Sequence, residues 1–409
     1  MSDRQWADVE LGDMITLHRG YDLPSSQRRQ GSIPVVSSSG ITGYHDEPRI
    51  QPPGVVTGRY GTLGEVFFID EPFWPLNTTL YVSDFHNNDA RFVSYFLQCQ
   101  GLGTRDGASA VPGINRNVLH RLPARRPPLP TQRKIAAILS AYDDLIENNN
   151  RRIKLLEETG QRLFHEWFVR FRYPGHEHVP LAHSDLGPIP ATWKVTTISD
   201  VAQSTRYAVT SGPFGSKLGG NDYVLEGVPV IRGTNLAVGG GFRDGDFVFI
   251  TNEKADEMKS CLAQAGDIVV TQRGTLGQVG LIPQSARFER YVLSQSQMKI
   301  TVDSDRGTAQ YLYAALRSQE VTQRLQRHAM TAGVPHINLS ILRNFAVVWP
   351  DVALQAEASR TFELLGDQVL ALVRMSECAR AARGFLLRRL VSGQIDVTDM
   401  DIAMPEETA

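Results

Sequence analysis

Long apolar runs are missing from this chain. None approaches the roughly 18 residues that a membrane-spanning helix needs. Met1 to Gly20 also lack the charged-then-apolar layout of a secretory signal, so a cytoplasmic protein is expected. Cysteine is scarce: Cys99, Cys261 and Cys378 stand far apart with no C-x-x-C spacing, which argues against disulfides and a cysteine metal site. His176, His178 and His183 fall in a Pro/Gly-bearing connector with no carboxylate or Cys at ligand spacing, so they read as a solvated linker. Catalytic signatures are absent too. No G-x-G-x-x-G, G-x-S-x-G or H-E-x-x-H occurs, and neither internal Pro-Pro pair sits in the Asn/Asp-Pro-Pro-aromatic motif of an amino-methyltransferase. Ser211-Gly-Pro-Phe-Gly-Ser-Lys-Leu218 imitates a phosphate loop, but Gly212 and Lys217 are only five apart and Leu follows the Lys. The chain reads as a binder.

Charge of one sign is also lacking, since the net charge is −2. Its distribution is uneven. Arg116 to Lys134 holds six basic residues and no acid, whereas the tail from Asp396 is acidic. A locally basic face on a neutral chain still suits phosphates.

What is present is length and periodicity. The 409 residues are enough for two or three domains. Thr131 to Val169 contain no Pro and a single Gly, with apolar residues recurring at three- and four-residue steps from Ile135 to Trp167. This predicts one long amphipathic helix with a narrow seam. At about 1.5 Å per residue it forms a rod of roughly 58 Å, with Asn149 on the seam as a register device. Ala353 to Val391 repeat the pattern, interrupted by Arg383 in a seam slot. Both rods follow a proline-bearing run and carry an early glutamine, Gln132 and Gln355. Phe164, Trp167, Phe168 and Phe385, near the rod ends, are read as outward-facing residues for docking a partner.

The segments before the rods also match. Trp6-Ala-Asp-Val9 pairs with Trp193-Lys-Val195, and Ile33-Pro-Val-Val36 with Val228-Pro-Val-Ile231. Gly61-Thr-Leu-Gly64 pairs with Gly274-Thr-Leu-Gly277, and Val111-Pro-Gly-Ile-Asn115 with Val334-Pro-His-Ile-Asn338. Four landmarks in the same order define an internal duplication. Local signals inside each copy are short β-branched or aromatic runs bounded by Gly, Asn and Asp, with one helix late in each, at Ala90 to Gln100 and Thr308 to His328. The expected fold class is α+β, with a small mixed domain used twice and two long antiparallel helices forming a coiled coil. The expected division is 1–125, the first rod in 126–173, 174–347 with its linker, the second rod in 348–395, and the tail 396–409.

Candidate binding residues are the Gly-rich and polar loops beside these landmarks. In the first copy they are Arg19, Tyr21, Ser37, Ser38, Arg59, Tyr60, Thr62 and Arg116. In the second they are Ser211, Phe214, Ser216, Lys217, Arg232, Thr234, Asn235, Gln272, Arg273, Thr275 and His336. Arg and Gln suit bidentate contacts to guanine and adenine edges, and Lys217 suits a DNA phosphate.

With the duplicated Gly-Thr-Leu-Gly loops, the Ser-Gly-Pro-Phe-Gly-Ser-Lys-Leu run, the Pro-x-x-x-Gln junctions and the closing Leu387-x-x-Leu390-x-Ser-Gly-x-Ile395 in view, the chain resembles a specificity subunit of a type I restriction–modification system. The resemblance covers nearly the whole chain. It implies two target-recognition domains that each read half of a split double-stranded DNA target, with the rods setting the spacer. It also implies docking of two methyltransferase subunits and of restriction subunits, which carry the chemistry with S-adenosylmethionine, ATP and Mg²⁺. No cofactor is then expected in this chain. A rod of this length bounds the half-site separation at roughly 17 base pairs. Rival readings are a stand-alone methyltransferase or nuclease, a coiled-coil adaptor and a solitary DNA-binding protein.

Overall fold

The computed structural model of the chain describes residues 6–104, 113–236, 241–274, 276–329 and 336–403. Thr275 and the landmark residues Val111, Pro112, Val334 and Pro335 lie outside that set, as does the side chain of Ser216. The chain forms two compact units, Met1–Asn150 with Val373–Ala409, and Arg151–Leu372. The division falls inside both long helices, so each unit holds one end of each.

The duplication is a repeat of topology. In the first unit an antiparallel sheet has the order Thr16–Arg19, Thr79–Asp84, Gly54–Gly58, Val66–Ile69. In the second unit the corresponding order is Val209–Ser211, Gln297–Ile300, Ile268–Thr271, Val279–Leu281. A second sheet in each centres on the Pro-Val strand. Ile33–Ser37 pairs antiparallel with Gly40–His45 and parallel with Trp74–Pro75. Val228–Ile231 pairs antiparallel with Val248–Ile250 and parallel with Tyr291–Leu293, and Leu262–Ala263 adds a further strand. The opening Trp-bearing segments join the strands that precede the rods, Ala7–Glu10 with Pro123–Arg126 and Lys194–Thr197 with Ala346–Trp349. The inner strands Gly54–Gly58, Val228–Ile231, Ile268–Thr271, Tyr291–Leu293 and Gln297–Ile300 are buried along their whole length, and most of them are rich in Val, Ile and Leu, which suit a pleated surface.

The first long helix runs Leu129–Phe164 and continues as a π-helical turn, His165–Val169. The second runs Val352–Val391 and stops where Gly393 takes φ +75, the left-handed conformation that ends helices. Contacts inside each unit show that the two are antiparallel. Asp143 lies 2.5 Å from Arg383 in the first unit, and Gly160 faces Leu365 in the second. Arg383, the misfit in the apolar seam, is thus the centre of a polar network. It also donates to Gln98, while the Tyr95 hydroxyl donates to Asp143. Burial and the neighbouring Asp143 carboxylate hold that phenol protonated far above its usual range. Asn149 and Ser376 are buried, as seam positions require.

Both helices penetrate the cores of the units they hold. Ile135 and Leu139 of the first and Leu390 and Val391 of the second join Leu17, Val55, Leu80 and Phe92. At the other end Phe164, Phe168 and Ala358 join Val209, Ile268, Met298 and Tyr311. Two expectations are corrected here. Phe164 and Phe168 do not face outward, because their rings pack on Tyr311 and Trp193 at 4.9–5.9 Å, and Trp167 lies half-buried against the same core. Of the four proposed docking residues only Phe385 is largely exposed, at 54%, with the Arg389 guanidinium 3.8 Å above its ring. The helix expected over Thr308 to His328 is two helices, Ala309–Arg317 and Gln319–Arg327. Ser318 takes an extended backbone between them and caps the second by accepting from Val321 N–H.

The matched glutamines explain the matched junctions. Gln132 is buried, donates from Nε2 to the Pro127 carbonyl, and accepts at Oε1 from the backbone N–H of Asp89. Gln355, also buried, donates to the Pro350 carbonyl and accepts from Thr308 N–H. Asp89 and Thr308 are the N-caps of the equivalent helices Ala90–Gln98 and Ala309–Arg317. Each glutamine therefore clamps a rod to its globular unit. Gln132→Ala and Gln355→Ala leave a buried N–H and a buried carbonyl unpaired, each costing about 1–3 kcal/mol. Chemical denaturation followed by hydrogen exchange is expected to show loss of protection in the first unit for one variant and in the second for the other.

Candidate functional site

In the first unit the strand ends, the hairpin and a short helix enclose a cleft of about 490 Å³. Arg19 enters from the end of Thr16–Arg19, Arg59 and Tyr60 from the hairpin, and Asn115 and Arg116 from the start of Arg116–His120. Four residues singled out in the sequence thereby meet, although nearly a hundred positions separate Arg19 from Arg116. Leu80 and Ile114 also line it, and no Asp or Glu is among the described residues that do. The cleft is therefore a cationic, donor-rich concavity suited to an anionic, acceptor-bearing ligand.

Local backbone demands explain the glycines around it. In the Gly-Thr-Leu-Gly turns, both glycines of each copy have positive φ: +83 and +92 in the first, +94 and +96 in the second. A side chain there strains the turn. Gly20 and Gly212 have a different reason. A Cβ at either position falls about 2 Å from a carbonyl oxygen of a crossing strand, that of Leu76 or of Ser294. Arg59 is held by its own backbone, its N–H donating to Thr78 and its carbonyl accepting from Ile114. Its guanidinium lies 4.5 Å from the Tyr60 ring centroid, with Nη2 3.4 Å from the phenolic oxygen.

Other candidates are occupied by structure. Ser37 donates to the Gly40 carbonyl and closes the Ile33–Ser37/Gly40–His45 hairpin, and Ser38 packs beside Gly58 and Gly61. Tyr21 is half-buried, its hydroxyl bonded to that of Tyr81 and its ring beneath Arg49. Thr62 is exposed on the turn. In the second unit Asn235, 1% exposed, accepts from Arg232 N–H and donates to the Gly245 carbonyl, so it builds a turn. Ser211 is buried in its strand. Gln272 is also buried, and its amide donates to the Gln295 carbonyl at 2.5 Å, while the Gln295 amide donates to Gly215 and Leu218. Gln272 thus supports the Ser211–Leu218 loop and is not itself presented. That loop projects Phe214, 67% exposed, and Lys217; Thr234 and Arg273 are exposed as well. Arg232, which donates to the Asp246 carbonyl, and His336, bridged to Arg273, are half-buried.

The sequence reading missed His18, Asn117 and His120. The first two line the cleft. His120 ties its walls together, because Nε2 accepts from Leu17 N–H at 2.9 Å, joining the strand of Arg19 to the helix of Arg116. The only local signal was its place after the Val-Pro-x-Ile-Asn landmark.

Similarity to known proteins accords with this architecture. The family model described as the type I restriction modification DNA specificity domain matches residues 3–158 and 190–373. The MjaVIII specificity subunit of a type I restriction enzyme from Methanocaldococcus jannaschii is 22% identical over 312 residues, spanning 75% of this chain and 68% of that one. The MjaIX specificity subunit from the same organism is 22% identical over 301 residues, 72% of this chain and 65% of that protein. The crystal structure of a type I restriction–modification S subunit from M. genitalium shares the fold, with a TM-score of 0.64 at 16% identity, covering 95% of this chain and 97% of that one. The chain belongs to the type I restriction–modification DNA specificity family, whose DNA specificity domain it matches twice, over residues 3–158 and 190–373.

Burial and the Arg116 charge push the His120 imidazole below its ordinary pKa, and the neutral ring is the form that accepts from Leu17. The unfolded chain binds this proton first as pH falls below about 6.5, so the contribution is intact above that pH and is lost on acidification. Thermal unfolding measured from pH 7.5 to 5 is expected to fall less steeply for His120→Gln than for the native protein.

Proposed function

We propose that each unit reads one half of a split duplex DNA target and that the two long helices set the number of base pairs between the halves. The observation that carries this is the arginine-lined cleft on a scaffold repeated within one chain. Strand ends and hairpin loops present side chains whose backbone is already satisfied, and basic groups there meet phosphates and base edges. The second unit offers Lys217, Arg273, Thr234 and Phe214 on its corresponding loops. On this reading the chain supplies recognition and no catalytic group. Methylation and cleavage, with S-adenosylmethionine, ATP and Mg²⁺, belong to two methyltransferase subunits and to restriction subunits assembled on it in the cytoplasm. Phe385 is the one aromatic of the rod ends that remains available for such docking.

Two experiments test this. Arg19→Ala and Arg116→Ala are expected to weaken DNA binding by the assembled complex about tenfold each. For each phosphate no longer neutralised, the slope of log affinity against log salt is expected to become shallower by about one. Unchanged affinity in a filter-binding titration counts against the cleft and favours an adaptor. Inserting one heptad into both long helices at facing positions adds about 10 Å. That length corresponds to about three base pairs at 3.4 Å each. Methylome sequencing of cells producing the altered complex is expected to show both half-sites unchanged and a spacer about three base pairs longer. An unaltered spacer refutes the role given to the rods.

A further inference from the structure

The two units place different side chains at equivalent positions of one scaffold. Gly20 and Gly212 make the same close crossing, which aligns Arg19 with Ser211. The bridges Tyr60–Gly113 and Arg273–His336 align Arg59 with Gln272. The N-caps Asn115 and Asn338 align Arg116 with Leu339. Three arginines of the first unit are thus a buried serine, a buried amide and a half-buried leucine in the second.

Among the three, Arg59 stands apart. Arg19 and Arg116 are exposed, and Arg116 occupies the first turn of a helix, where a charge suited to phosphate is enough. Arg59 is half-buried, with its plane restrained against Tyr60 and its backbone bonded on both sides. A fixed fork of N–H donors matches two acceptors at set spacing, and in the major groove O6 and N7 of guanine present such a pair. Cytosine N4 calls for a carboxylate, and none lines the cleft among the described residues. Adenine calls for a side-chain amide; Asn115 already accepts from Asn117 N–H, and Asn117, which also lines the cleft, is exposed on the first turn of the helix, whereas Arg59 is half-buried.

Resting on the reading that the first unit binds a DNA half-site, we propose that Arg59 reads a guanine in the major groove, so that this half-site contains a guanine at one position specified by Arg59. The two halves of the target then differ because Gln272, at the equivalent place, supports a loop and does not reach a base. The test is methylome sequencing with the full chain co-produced with its methyltransferase subunit, as native protein, Arg59→Gln and Arg59→Lys. Both variants are expected to relax one guanine position about tenfold, with the other half-site and the spacer unchanged. In a binding assay with the native complex, 7-deazaguanine at that position, which removes N7, is expected to weaken binding several-fold. The proposal fails if the native complex is indifferent to 7-deazaguanine at every guanine of its target. It also fails if Arg59→Gln lowers methylation equally at all sequences while Arg59→Lys restores it, since that marks a phosphate contact. A stable native complex that methylates no split motif overturns the DNA-reading assignment, and this proposal with it.

Discussion

A buried glutamine amide at the first turn of each long helix is the interaction on which the rest depends. An amphipathic helix packed by its apolar stripe alone is free to rotate and slide by small amounts, because the hydrophobic effect has no direction. Gln132 and Gln355 remove that freedom with directional bonds. One end of each amide holds the carbonyl of the proline run that launches the rod, and the other holds the N-cap of a helix in the globular unit. Both partners are backbone groups that cost free energy if left unpaired. The rod thereby leaves each unit in one direction, and the sheet carrying the hairpin is fixed to it. The aromatic end of the first rod, with Phe164 and Phe168 in the second unit's core, and the Arg383–Asp143–Tyr95 network in the first unit secure the opposite ends.

On this frame the loops are free to vary. The Gly-Thr-Leu-Gly turns keep their glycines in both units because φ is positive there, and Gly20 and Gly212 persist because a strand crosses too closely for a side chain. Neither demand concerns the ligand. The residues immediately beside these glycines carry the difference between the units: arginines around one cleft, and a buried serine and amide with an exposed Phe214–Lys217 loop in the other. Scaffold and variable loop surface are thus separated within a few residues of chain. This separation suits a protein that presents two different surfaces from one architecture.

Much of this was legible in the amino-acid order. The long helices announce themselves through sustained three- and four-residue spacing, which only a helix turns into a continuous stripe, and their observed bounds lie within a few residues of those expected. The duplication was visible because its landmarks are backbone requirements, and glycines, caps and Pro-Val strands leave marks that side-chain variation does not erase. Tertiary structure alone decided which marked residues are exposed. Ser37, Asn235 and Gln272 have the chemistry of readers, yet each is spent on a neighbouring backbone group, and Phe164 and Phe168 have the chemistry of a docking surface but fill a core. Burial depends on what the remote chain brings alongside, as when the helix at Arg116 meets the strand at Arg19 through His120. Periodicity and turn chemistry are local properties that a sequence states directly. Exposure is a property of the whole fold, and for that physical reason only the structure assigned it.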